Sequence, residues 1–139
     1  MRSAILIIFL ITMAFVGEWG YRMFLRPVDP VQPCVQSLAE HFNKSGIPVE
    51  VRPVRHSFRH SYVIASAELR IKDFPLTILV DVCPSDQIAE EHLQSIRSSP
   101  NLPHSLRRGR LVMYLPMWAN EEPMAEIVKK DFASFKPQS

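Results

Sequence analysis

Between Ala4 and Val16 the chain reads AILIIFLITMAFV, thirteen residues without a charge, preceded by Arg2 and followed by Gly17, Glu18 and Trp19. No other feature restricts the fold as much. A helix built from such a run has no polar face, so it must lie in lipid, sit in a core, or be removed. The length suits the apolar region of a signal peptide better than a spanning helix of about 20 residues. The cleavage positions, however, are poor. Cutting after Gly17 places Phe15 where a small residue is wanted, and cutting after Ala14 shortens the run. Trp19, Tyr21 and Phe24 follow at the depth where aromatic rings settle at a membrane interface, and Arg22 and Arg26 can snorkel. Residues 3–24 are therefore read as an uncleaved membrane anchor within a terminal segment 1–24. A cleaved signal and a buried helix are the alternatives.

Charge does not orient this segment, because Arg2 on one side faces Arg22 and Arg26 on the other. The cysteines bear on the side. There are two, Cys34 and Cys83, and a bridge between them would close a loop of about 50 residues worth ~4 kcal/mol. A disulfide would place the domain outside the cytoplasm, in the manner of a bacterial inner-membrane protein facing the periplasm. Two buried free thiols are the alternative.

The formal charge of +2 dissolves when divided along the chain. Arg2, Arg22, Arg26 and Glu18 account for it, leaving thirteen basic and thirteen acidic residues after position 26. A neutral domain with no nucleic-acid signature makes a nucleic-acid partner an unfavoured expectation.

The twelve prolines begin at Pro27, Pro30 and Pro33, a spacing of three that suits a polyproline II spacer over 25–33. Residues 34–136 then read as one α+β domain. Val35, Leu38, Ala39 and Phe42 mark a helix over 34–45, and Val49, Val51 and Val54 an irregular strand that Pro53 confines to an edge. Tyr62–Ile71 and Leu76–Val82 form an antiparallel hairpin around Asp73 and Pro75. Ser85 opens a helix over 86–98, a Pro-containing loop leads to a strand over 110–115, and Asn120 caps a helix over 121–135. The order α-β-β-β-α-β-α predicts a four-stranded mixed sheet packed against helices, with the crossover laying the last strand parallel to its neighbour.

Chemistry is constrained by what is missing. After residue 26 only Gly46 and Gly109 remain, so no glycine-rich loop can cradle a phosphate, and the zinc-protease and nucleophile-elbow motifs are absent. No cofactor is expected. Arg52, Arg55, His56, Arg59 and His60 cluster around Phe58, and Arg107, Arg108 and Arg110 follow His104. Were both clusters on one side of the sheet, they would attract phosphate or lipid head groups. His56 and His60 are four apart, a zinc-like spacing on a helix. Adjacent arginines and the lack of a third ligand speak against a metal.

A hydrolase would need paired carboxylates, for which Glu68 and Asp81, with Lys72 and Glu40, are the nearest offering. Trp118, among Met113, Tyr114, Leu115 and Met117, is either an interface anchor or a cover for the last helix. The expectation is a tethered, non-catalytic module that binds another protein, as an accessory subunit or an inhibitor of immunity type. An anionic-surface binder is second and a hydrolase third.

Overall fold

The computed structural model describes residues 31–54, 62–99, 104–116, 118–119 and 122–137. The membrane anchor expected over 3–24 lies outside them, as does most of the spacer. No helix among the described residues is long and apolar enough to cross a membrane.

The fold is α+β, with helix α1 (Pro33–Lys44), strands β1 (Val49–Pro53), β2 (Ala65–Ile71) and β3 (Thr77–Val82), helix α2 (Asp86–Arg97), strands β4 (Ser105–Arg108) and β5 (Leu111–Tyr114), and helix α3 (Pro123–Ser134). Pro33 is the first residue of α1, and Val31 packs on the core. The domain thus begins inside the stretch assigned to the spacer. Proline is favourable there because its missing N–H would have no intrahelical partner. α1 ends in a Schellman motif: Ile47 N–H bonds to Phe42 C=O at 2.9 Å and Gly46 N–H to Asn43 C=O at 3.2 Å, with Gly46 at φ 87°. Ile47 and Phe42 are both buried, which supplies the apolar contact that accompanies this cap.

The sheet has five strands in the order β1-β2-β3-β5-β4, and every neighbouring pair is antiparallel. This corrects the expected four-stranded mixed sheet. The additional element is β4, whose sequence SLRR has one apolar residue and by itself reads as loop. With β4 present, the α2 crossover lands on the sheet's far edge. A tight turn at Gly109-Arg110 then returns β5 into the gap beside β3. Gly109, at φ 55°, takes the left-handed position that a two-residue hairpin requires.

Alternation sorts the side chains by face. Ala65, Ala67, Leu69 and Ile71 of β2, Ile78, Val80 and Val82 of β3, and Leu111 and Met113 of β5 join Phe42 of α1 and Phe132 of α3 in the main core. On the other face a smaller cluster of Cys83, Ala89, Leu93, Ile96 and Val112 lies under α2. Asp81, the fifth residue of the strand TILVDV, is buried on that second face.

Both sheet edges are blunted against pairing with another chain. On β1, Asn43 Oδ1 accepts from Val49 N–H at 2.9 Å, and Pro53 has no N–H to offer. On β4, Arg97 of α2 donates to Ser105 C=O at 3.2 Å.

Candidate functional site

The largest concentration of polar chemistry in a sealed position is built around Asp81. Register places Ser66 of β2 directly opposite it, and α2 lays His92 over it. His92 Nε2 donates to Asp81 Oδ2 at 2.7 Å, and the two side chains are 13% and 6% exposed. Ser66 Oγ donates to Asp81 Oδ1. Two donors, one on each oxygen of the buried carboxylate, meet the requirement that a buried charge be paired and hydrogen-bonded. Because a carboxylate only accepts, the His92 proton facing it sits on Nε2.

The network imprints its neighbours. Burial first and the nearby Asp81 carboxylate second push the Tyr114 phenol well above its ordinary value, with a smaller contribution from Glu68. Burial first and Asp81 second push the Cys83 thiol up to about 11. Tyr62 closes the outer side: its ring lies 6.0 Å from the His92 ring at an interplanar angle of 19°. The offset stack is of the kind aromatic pairs prefer.

Sequence reading passed over most of this constellation. Asp81 reads in the sequence as half of a carboxylate pair with Glu68, whereas its oxygens are engaged by Ser66 and His92. Glu68 stands opposite Arg52 and Leu79, on the same face of the sheet as Asp81 and diagonal to it. The available signal was a single acid inside an apolar strand, which demands a partner. His92 sits between Ala89 and Ile96 on the inward side of α2, but only packing shows that it is the partner.

The two basic clusters fare differently. Arg55, His56, Arg59 and His60 lie outside the described residues. Arg52 is exposed on β1, 3.4 Å from Glu50. Arg107 is on β4, at the opposite edge of the sheet and four strand spacings away, roughly 19 Å. Its guanidinium bonds to Glu90 at 2.8 Å and to Gly109 C=O at 3.0 Å. Glu90 is held below the usual carboxylate range, first by a hydrogen bond from Gln94 and then by Arg107. Arg52 and Arg107 therefore do not form one patch. Arg108 and Arg110 are exposed at the β4–β5 turn. Val54 and Tyr62, which flank residues 55–61, leave the sheet at this same end.

Cys34 and Cys83 are both free thiols. Cys34 packs against the main core and Cys83 belongs to the cluster on the opposite face, so the sheet stands between them. Of the two readings, a bridge or two free thiols, this structure has the free thiols. Cys83 fills space as a small apolar residue.

Trp118 is 54% exposed, and its neighbour Ala119 takes the buried position instead. Two backbone hydrogen bonds fix this turn, from Ala119 N–H to Pro116 C=O at 2.9 Å and from Glu122 N–H to Ala119 C=O at 3.1 Å. Ile127 on α3 is likewise exposed, at 52%. No metal-binding cluster occurs among the described residues. Comparison of the chain with protein-family models, curated proteins and solved structures finds no match.

Proposed function

We propose that this chain is a membrane-tethered module whose domain lies outside the cytoplasm and binds another protein, as an accessory subunit or an inhibitor of immunity type, without catalysis. The observation that carries the reading is Trp118. A large aromatic ring more than half exposed, on a turn pinned by backbone hydrogen bonds, is a preorganised anchor for a partner's pocket. The apolar run over 4–16 supports the tether.

Capture of partners by the full chain from detergent-solubilised membranes tests this. Binding should persist between 50 and 500 mM salt and fall at least tenfold for Trp118→Ala, since buried aromatic anchors are worth about 2 kcal/mol or more. Unchanged capture by Trp118→Ala refutes the reading. The compartment is tested separately with a membrane-impermeant maleimide on intact cells. Cys34 is the half-buried thiol able to report, whereas Cys83 is sealed. Protection of Cys34 in intact cells together with labelling after lysis places the domain in the cytoplasm.

A second reading, binding to an anionic phosphate or lipid surface, is favoured by one observation. Arg108 and Arg110 share a sheet end with both flanks of the Arg55–His60 segment. Steep loss of binding to anionic vesicles with rising salt, unaffected by Trp118→Ala, would select it over the first.

A further inference from the structure

The second face of the sheet is only half covered. Helix α2 packs on β4 and β5, and among the described residues no helix lies on this face over β1 and β2. Exposure follows the same division. Glu50, Arg52 and Arg70 are exposed on this face and Glu68 is half-buried, whereas Asp81 and Val112, farther across the sheet, are buried. We propose that two copies of this chain dock face to face through the open half, related by a two-fold axis that runs parallel to the strands between β1 and β2. The inference goes beyond the Trp118 reading and does not rest on it, because the Trp118 turn leads into α3, which packs on the opposite face.

Charge selects both the occupant and the axis. Register sets four charges in a square: Glu50 stands opposite Arg70 and Arg52 opposite Glu68, so the signs alternate along each strand and across the pair. Turning one copy over about the axis lays its β1 on the other copy's β2. Glu50 of each copy then faces Arg70 of the other, and Arg52 of each faces Glu68 of the other. Every contact in the square is between opposite charges. Moving the axis onto β2 would instead stack Glu68 on Glu68, and an axis running across the strands would drive both α2 helices into one layer. Such complementarity fixes register and partner more than affinity.

The layer has room for this arrangement. Facing sheets pack about 10 Å apart, and a helix with its side chains is about 10–12 Å across, so the incoming β1 and β2 lie level with α2 and complete its layer. The edges offer no competing route, because Asn43 and Pro53 blunt β1 and Arg97 engages β4. The footprint is small, about 16 Å along the five residues of β1, which puts the pair in the weak, transient class.

The test is amide NMR of the isotope-labelled full chain in non-ionic micelles at low salt. Resonances of Glu50, Arg52, Glu68 and Arg70 should move along one binding curve as the chain is concentrated to about 1 mM. Glu68→Lys and Arg52→Glu each set like charges against each other between copies, and each should weaken association at least about tenfold. Labelled Glu68→Lys titrated with unlabelled Arg52→Glu should associate again, since each variant supplies the charge that the other needs. Misfolding of a single chain has no such rescue. Lys130→Glu, an equal reversal at an exposed position of α3, should leave the native curve unchanged. Resonances that stay fixed up to about 1 mM overturn the proposal and leave this face to solvent. A single variant that associates as well as the native chain, or a mixture of the two that does not associate, overturns it equally. Should either variant fail to fold, Glu50→Lys and Arg70→Glu form the equivalent pair and decide by the same outcomes.

Discussion

Replacing Asp81 with Ala should be among the most destabilising changes available to this domain, for a reason unrelated to the volume removed. Asp81 is 4% exposed and receives hydrogen bonds from His92 and Ser66. Ser66 is only partly buried, so its hydroxyl can recover water. His92, with a side chain 13% exposed, cannot do so fully and loses the acceptor 2.7 Å from its Nε2. Breaking a buried pair by removing one partner costs about 3–5 kcal/mol, and the partial recovery at Ser66 favours the lower half of that range. Against a folding free energy of about 5–15 kcal/mol, the loss would remove roughly a fifth or more of the stability. The contrast is Asp81→Leu/His92→Leu, which removes both partners and fills the space with apolar atoms. Exchanging a whole buried pair for packed apolar side chains is often near neutral, so the double variant should lie within about 1.5 kcal/mol of the native chain. Urea titration of the full chain in non-ionic detergent, followed by far-ultraviolet circular dichroism, measures both. A cost below about 1 kcal/mol for Asp81→Ala refutes the account. So does a double variant no more stable than the single one, because the penalty would then lie in something other than an orphaned partner.

Four further outcomes follow from other parts of the fold. Because the Cys83 thiol is raised to about 11 in the folded state, its contribution is complete below pH 9 and lost as pH rises from 9 to about 11. That amounts to roughly 3 kcal/mol, so thermal melts should fall over this range and fall less steeply for Cys83→Ala. Gly109 sits at φ 55° with a Cβ position 3.1 Å from Pro137 Cγ, so Gly109→Ala should cost about 1–2 kcal/mol by chemical denaturation, partly restored by adding Pro137→Ala. Gly46→Ala at φ 87° meets nothing within 4 Å and should gain no relief from any neighbouring substitution. Phe42→Ala should cost about 3–5 kcal/mol, since the ring is fully buried in the main core, and the same denaturation curves would show it.

Local periodicity determined much of the architecture. Val35, Leu38, Ala39 and Phe42 recur every three to four residues, a pattern that only a helix with one buried face satisfies, and all four are buried. Apolar runs separated by Lys72-Asp73-Phe74-Pro75 specified the β2–β3 hairpin, and Asp73 does adopt a left-handed φ of 60°. β4 was not legible because a four-residue edge strand with one apolar side chain carries too little alternation to be told from a loop. Its identity comes from pairing with β5, and that pairing decided whether the last strand ran parallel or antiparallel to β3. Trp118 was legible as a candidate but not as an exposed one, since burial depends on whether it or Ala119 turns inward.

By itself the sequence determined the α+β class, the helix faces, the neutral charge of the chain after residue 26 and the absence of any phosphate-cradling loop, all of which are local or compositional properties. Tertiary structure alone decided three things. Cys34 and Cys83 fall on opposite faces of the sheet, Arg52 and Arg107 fall at opposite edges, and Asp81 finds His92 eleven positions along the chain. Each depends on the order of strands across the sheet and on the face a helix covers. That order is fixed by long-range pairing and by the need to satisfy a buried charge, for which no short stretch of sequence holds the information.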